Sequence, residues 1–313
     1  MIKQFELEWK NRLPYIVANT SGSTGKPKET RLLKSDMIVS AKATNNFFGI
    51  TSESVVALPL STDYIAGKMM AVRAWMANCE ILELPVSNEI NLDRTVDFMC
   101  VVPTQIPSVL SKRGFIKKLL IGGAPLSFEQ EKEISESGLE AWLGYGMTET
   151  CSHVALRRVG GDGTFMAMPG ITFSLDCRGC LVIHSDLFSW RTLVTNDIVE
   201  LKSPVSFIWR GRFDNVINSG GLKLHPEQLE EQFKQTINDL PPFFLIGEND
   251  SVLGQRLVMV MENPPYDILK KLKSLINDHR LLPKRVISVD HLPRTSSGKI
   301  RRILPEFTNE AKQ

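Results

Sequence analysis

The sequence predicts an α/β fold in two parts: a large layered N-terminal domain with a β-rich subdomain, residues 1–213, and a small mobile α+β domain, residues 214–313. Three observations predict it. Short apolar runs alternate with helical stretches over residues 54–143. Over residues 168–209 the pattern changes to short strands separated by turns. From Asp214 onward a third pattern sets in, with a helix, two strands, a second helix and a last strand. Alternating strand and helix periods are what a sheet covered by helices requires.

Taken in order, Tyr15-Ile16-Val17-Ala18 reads as a strand entering a polar, glycine-rich loop. Residues 55–58, 80–84, 98–102, 119–121 and 141–143 read as strands, and 63–78, 104–112 and 127–137 as helices between them. The helix over 63–78 is apolar all round except for Lys68 and Arg73, so it should be buried. Residues 180–184 and 192–194 are strands of the β-rich part. Residues 226–236 open on a proline and carry Leu229, Phe233 and Ile237 at helical spacing. Strands at 243–246 and 257–261, a helix at 268–277 and a strand at 286–289 complete the chain. The joint at 212–215 is short and charged, and such a joint can act as a hinge about Asp214.

Composition bounds the function. A chain of 313 residues has room for about two domains, and 42% hydrophobic with 23% charged residues excludes a disordered or fibrous protein. Lys plus Arg number 37 against 35 for Asp plus Glu, a balance that argues against nucleic acid or an anionic membrane as partner. No apolar run reaches membrane-spanning length, and the charged N-terminus does not read as a signal peptide. Five scattered cysteines suit a reducing, cytoplasmic setting. Cys177-Arg178-Gly179-Cys180 has metal-ligand spacing, but no second such pair exists and His184 alone cannot complete four ligands. A turn between strands is the simpler reading. The five histidines form no convincing triad or metal cluster and read as structural, and no GxSxG elbow is present.

The strongest local signal is Thr20-Ser21-Gly22-Ser23-Thr24-Gly25-Lys26-Pro27-Lys28. Glycines let backbone N–H groups close around phosphate oxygens, hydroxyls donate further bonds, and lysines neutralise charge. The segment is not a nucleoside-triphosphatase P-loop, because Thr20 replaces the first glycine and Pro27 follows the lysine. Alone, it would also fit a polar hairpin turn.

At this loop the sequence resembles the adenylate-forming superfamily of acyl-CoA synthetases, luciferases and nonribosomal adenylation domains, departing only at Glu29, where the family has glycine. Further segments match the same family in the same order. They are Gly122-Gly123-Ala124-Pro125-Leu126, Gly144-Tyr145-Gly146-Met147-Thr148-Glu149, Thr195-Asn196-Asp197 (with Asn196 for glycine), Gly211-Arg212-Phe213-Asp214, Gly220-Gly221-Leu222-Lys223 and Pro293-Arg294-Thr295-Ser296-Ser297-Gly298-Lys299. The resemblance implies ATP, Mg²⁺ and CoA as cofactor and co-substrates, and it assigns roles. Gly123, Ala124, Pro125, Tyr145, Gly146 and Thr148 would meet the nucleotide, with Tyr145 flat against adenine. Glu149 would hold Mg²⁺, Asp197 the ribose, Arg212 the ribose or the α-phosphate, and Lys28 and Lys299 the charge of the transition state. Gly220, Gly221 and Lys223 would border the CoA tunnel. Family members usually carry a large subdomain before the phosphate loop, so the chain reads as an N-terminally trimmed form. Whether it forms a homodimer is left open.

For the acid, the family's Pro-Leu-aromatic-His segment reads here Leu58-Pro59-Leu60-Ser61-Thr62, without the histidine. A guanidinium on the apolar helix that follows needs an anionic partner or a route to water. Arg73-Ala74-Trp75-Met76-Ala77 is similar to the helix of o-succinylbenzoate–CoA ligases of menaquinone synthesis, whose substrate carries a second carboxylate. That resemblance implies a substrate site drawn from Arg73, Lys68, Ser61, Thr62, Gly122 and Gly123. A snorkelling or acid-paired Arg73 is the structural alternative. Another aryl- or acyl-CoA ligase, or an adenylation domain loading a carrier protein, would share the first reaction step.

Overall fold

The computed structural model describes residues 2–19, 29–237, 239–294 and 300–305. The expected phosphate loop, including Thr20, Ser21, Gly22, Ser23, Thr24, Gly25 and Lys28, and the expected catalytic Lys299 lie outside the described residues.

Helix α1 (Ile2–Lys10) leads into an antiparallel hairpin of β1 (Tyr15–Asn19) and β2 (Glu29–Leu33), in which Asn19 faces Glu29. Helix α2 (Lys34–Phe48) follows and stops at Gly49, whose φ of 67° is the left-handed C-cap that glycine favours. The expected alternation then appears: β3 (Val55–Leu58), α3 (Ile65–Ala77), β4 (Glu80–Glu83), β5 (Val96–Val101), α4 (Ile106–Ser111), β6 (Ile116–Ile121), α5 (Phe128–Glu136) and β7 (Glu140–Met147). Strands β3 to β7 are joined by parallel pairings in the order β7-β6-β5-β3-β4, as crossovers through helices demand.

Strands β8 (Ser152–Arg158), β9 (Thr164–Ala167), β10 (Ile171–Leu175), β11 (Cys180–Ser185), β12 (Thr192–Ser203) and β13 (Ser206–Arg212) form the β-rich part and extend the sheet to eleven strands. Cys177 sits in the turn between β10 and β11 and Cys180 opens β11, with Gly179 between them at a φ of 78°, and no three His, Cys, Asp or Glu side chains cluster as metal ligands among the described residues. Among the described residues no helix is long and apolar enough to cross a membrane.

The last part holds β14 (Ile217–Ser219), β15 (Leu222–Leu224), α6 (Pro226–Thr236), β16 (Phe243–Asp250), β17 (Gly254–Glu262), α7 (Ile268–Leu275) and β18 (Arg285–Val289). The five strands form a separate sheet. Period-two alternation along β16 sends Phe243 and Leu245 to a core shared with Leu229, Phe233 and Leu272 of the helices, while Phe244 joins Val258, Val260 and Ile287 on the other side. Truncating fully buried Phe233 to alanine would cost about 3–5 kcal/mol.

The chain divides into two compact units. The first comprises residues 1–174, 182–193 and 201–208, and the second 175–181, 194–200 and 209–313. Two helices, α1 and α2, have no counterpart in the sequence reading. They share a core with α3 and the hairpin, built on Phe5, Ile16, Leu32, Met37, Met69 and Cys151.

Candidate active site

In the first unit the candidate residues gather at the carboxyl ends of parallel strands, where α/β sheets bind ligands. Strand β3 runs out into Pro59, Leu60, Ser61 and Thr62, β6 into Gly122 and Gly123, and β7 carries Tyr145 in its last turn of chain. Gly122 N–H donates to the Val101 carbonyl at 3.0 Å, which keeps the strand ends level. Gly123 has a φ of 87°, and a Cβ there would also sit 3.3 Å from Val102, so the exposed turn before Ala124 and Pro125 needs glycine.

Strand β7 pairs antiparallel with β8, and the register slips between Tyr145 and Gly146. A Cβ on Gly146 would lie 2.0 Å from the Ser152 carbonyl oxygen, so only glycine allows this approach. The half-buried Tyr145 ring meets Phe207 edge-on at 5.0 Å and Phe165 at 5.8 Å. Thr148, Glu149 and Thr150 form a single 3₁₀ turn. Fully buried Thr150 fixes it: its hydroxyl accepts from Met147 N–H at 2.9 Å and donates toward the Ser152 carbonyl at 2.6 Å. Glu149 stays exposed, and no described residue hydrogen-bonds or pairs with its carboxylate. Strand β2 lies against this turn, so the hairpin that flanks residues 20–28 is a neighbour of Glu149.

Arg73 is the most unusual group. It is 0% exposed, which removes the snorkelling alternative. One Nη donates to Ser152 Oγ at 2.8 Å and the other meets Met70 Sδ at 3.7 Å, while Nε has no partner among the described residues. No described carboxylate pairs with it, which removes the second alternative among the described residues. Burial lowers its pKa to about 10, with Cys100 opposing the shift weakly. A guanidinium so enclosed and so poorly partnered is expensive unless something anionic joins it.

The other expected substrate residues divide. Lys68 is buried and taken: its ammonium binds Glu8 of α1 at 3.0 Å and lies 4.4 Å from the centre of the Phe5 ring. Ser61 Oγ donates to Asp63 at 2.9 Å, and Thr62 is buried beside it. Gly67 lets α3 press on this segment, since a Cβ there would be 2.1 Å from the Ser61 carbonyl oxygen.

Sequence reasoning missed Thr44, Ser152 and His153, all of which adjoin Arg73 through one hydrogen-bonded chain. Thr44 Oγ1 donates to the Ser40 carbonyl at 2.9 Å and therefore accepts from His153 Nε2 at 3.3 Å. That leaves His153 Nδ1 to accept from Ser152 Oγ at 3.3 Å, and Ser152 in turn accepts from Arg73. Burial, and then the Arg73 charge, push the imidazole well below its ordinary pKa, so it is neutral. The available clue was a polar Ser-His pair directly after the Thr-Glu motif and before an apolar strand.

This neutral histidine predicts a pH effect on stability. Its folded pKa lies below its unfolded value of about 6.5, so the unfolded chain binds the extra proton. Its contribution is complete above pH ~6.5 and is lost as pH falls through that value toward the folded pKa, at up to about 1.4 kcal/mol per pH unit. Urea unfolding between pH 7.5 and 5.5 should show this slope in the wild type and a flatter one in His153→Phe. Equal slopes would mean the imidazole is not held neutral.

In the second unit, Asp197 is buried and its Oδ1 accepts from Trp209 Nε1 at 3.1 Å, with Arg212 Nη1 at 3.5 Å. Thr195 orients it: the hydroxyl bonds Asp197 N–H at 3.0 Å and the Leu181 carbonyl at 2.8 Å. Asn196, the departure from the family pattern, donates to the Asp214 carboxylate at 3.1 Å, and Arg212 meets the same oxygen at 3.3 Å. Gly220 and Gly221, with φ of 57° and 80°, make the two-residue turn between β14 and β15 that requires two left-handed residues. Lys223 is exposed on β15, across from Asn218.

Residues 6–178 match the model of the AMP-binding enzyme family. The chain is 25% identical to the 2-succinylbenzoate–CoA ligase of Enterococcus faecalis over 328 residues, which cover 90% of this chain and 67% of that protein. Among solved structures it is similar to an acyl-CoA synthetase (AMP-forming)/AMP-acid ligase II-like protein from Dyadobacter fermentans, 32% identical with a TM-score of 0.64, covering 96% and 91% of the two chains. It also shares its fold with the o-succinylbenzoate CoA synthetase from Bacillus subtilis solved with the acyl-adenylate intermediate. There the identity is 19%, the TM-score 0.80, and the coverage 95% and 70%. The chain thus spans about two thirds of the length of the Enterococcus and Bacillus proteins.

Proposed function

The chain belongs to the AMP-binding enzyme family, and from that premise we propose that it activates a carboxylic acid with ATP and passes the acyl group to CoA, the acid being o-succinylbenzoate. In the first half-reaction a carboxylate oxygen attacks the α-phosphorus, and the bond to pyrophosphate breaks. In the second the CoA thiol loses its proton, sulfur bonds the acyl carbon, and AMP leaves.

The observation that supports the choice of acid is Arg73, fully buried and without a described carboxylate. An aromatic diacid would supply the missing anion with its second carboxylate while the first reacts. Tyr145, Gly123 and Ala124 are assigned to the nucleotide, and Asp197 and Arg212 to ribose, on the family resemblance. Lys28 and Lys299 are assigned to the phosphates and the transition state. The exposed Glu149, without a partner among the described residues, fits an Mg²⁺ ion on the triphosphate; bound there, the ion would screen the phosphate charges. Ser61 and Thr62 are secondary contacts, and Lys68 is committed to Glu8.

Two half-reactions make a direct test. Exchange of labelled pyrophosphate into ATP should require o-succinylbenzoate but not CoA, and CoA should then yield AMP and the thioester. Exchange that absolutely needs CoA would overturn the order. Turnover only with a phosphopantetheinylated carrier would move the chain to the loading domains, and a panel of acids with no response to the diacid would remove the substrate.

A further inference from the structure

We propose that His153, acting through Ser152, is a positioning residue that aims the Arg73 guanidinium at the second carboxylate of the substrate; the inference rests on the substrate reading above. From helix α3 itself Arg73 receives a soft contact, the Met70 sulfur at 3.7 Å, which does not fix the plane of the guanidinium. The directional contact is the 2.8 Å bond to Ser152 Oγ. A hydroxyl can turn, so it specifies a direction only if its own hydrogen is committed. His153 Nδ1 commits it, at 3.3 Å. Nδ1 is an acceptor only because Nε2 carries the proton and donates it in a hydrogen bond to Thr44 Oγ1. Thr44 accepts because its own hydrogen goes to the Ser40 carbonyl. Each member leaves the next one role, and the chain ends on a backbone carbonyl of α2 that cannot reverse.

The backbone agrees. Ser152 has a φ of 134° and the preceding Cys151 a φ of 58°, both in the left-handed half of the map that residues with side chains avoid. Such strain persists only where the surroundings over-determine it. Here Thr150 Oγ1 holds the Ser152 carbonyl at 2.6 Å, and Gly146 gives that carbonyl room. What the strained segment delivers is the Ser152 hydroxyl, set between Arg73 and His153. A chain that served packing alone would not need polar residues at three buried positions and a partly buried fourth, with Nε of the arginine still without a partner among the described residues at the far end.

Thr44 carries the most telling test, because among the described residues its hydroxyl bonds only the Ser40 carbonyl and His153, and Thr44→Val is nearly isosteric. Without that acceptor, His153 gains by moving its proton to Nδ1, which becomes a donor and displaces the Ser152 hydrogen. We expect Thr44→Val and Ser152→Ala each to lower kcat/KM for o-succinylbenzoate about tenfold, as loss of a charge-assisted bond does. The change should fall in KM, with kcat and the kcat/KM of a matched monoacid nearly unchanged. Thr44→Ser should restore the diacid value. Wild-type enzyme with no diacid preference would sink the substrate reading and this inference together. A preference that Arg73→Ala abolishes but Thr44→Val and Ser152→Ala leave intact would sink this inference alone, as would equal losses for diacid and monoacid.

Discussion

Replacing Lys299 by alanine should slow adenylate formation on the order of 10²–10³-fold, the cost of removing a preorganised charge from a transition state. As the carboxylate attacks, negative charge accumulates on the α-phosphate, and a point charge supplied there stabilises the transition state more than the ground state. The loss should therefore appear in kcat for pyrophosphate exchange, with little change in the KM for the acid. Thioester formation from supplied acyl-adenylate should be nearly untouched, because that step has no pyrophosphate to release. Single-turnover measurements of each half-reaction separate the two cases. An equal loss in both halves would count against a role confined to the first step, and no loss in either would remove Lys299 from the catalytic set.

The parallel part of the sheet was legible because its strands are buried on both faces, so β3, β5 and β6 read as apolar runs whatever the register. Helix α6 was legible for the opposite reason, a single apolar stripe of Leu229 and Phe233 behind a starting proline. Helix α2 gave no such pattern. Its buried face holds Asp36, Ser40, Thr44 and Asn45 among Met37, Ala41 and Phe48, so the apolar period is broken. Those same polar groups hold the interior together: Asp36 accepts from Ser189, Asn45 donates to the Arg73 carbonyl at 2.8 Å, and Thr44 accepts from His153. The element that was hardest to see is thus the one that carries the buried polar chain, and natural proteins break a local rule of this kind chiefly where function asks for it.

The candidate site shows the same limit. Arg73 could be picked out because a charge on an all-apolar helix is conspicuous without any partner. Lys68 was equally conspicuous, but its partners Glu8 and Phe5 sit on α1, which reads only as a mixed, charged terminus. Long-range pairings of this kind, 60 residues apart for Lys68 and Glu8, leave no trace in local periodicity. His153 read as structural because its contacts at Thr44 and Ser152 come from α2 and from a strained turn.

Arg73→Ala should remove most of the enzyme's preference for a diacid. The wild type is expected to favour o-succinylbenzoate over a matched monoacid in kcat/KM by about 10³-fold or more, because a site built for a polar group rejects an analogue that lacks it. The structure sharpens the reason: with Arg73 fully buried, one Nη on Ser152 and Nε unpartnered, a monoacid would leave the cation enclosed and uncompensated. Alanine removes both the attraction for the diacid and the penalty against the monoacid, so the two rates should converge, while the KM for ATP stays close to the wild-type value. Arg73→Met fills more of the vacated space and guards against a simple cavity effect; it should discriminate as poorly as alanine. Arg73→Lys should recover only part, since an ammonium cannot reproduce the planar two-pronged contact with a carboxylate. If all three variants keep the diacid preference, Arg73 is structural, and the second carboxylate must be held elsewhere, with Ser61 and Thr62 the next residues to change because Lys68 is already bound to Glu8.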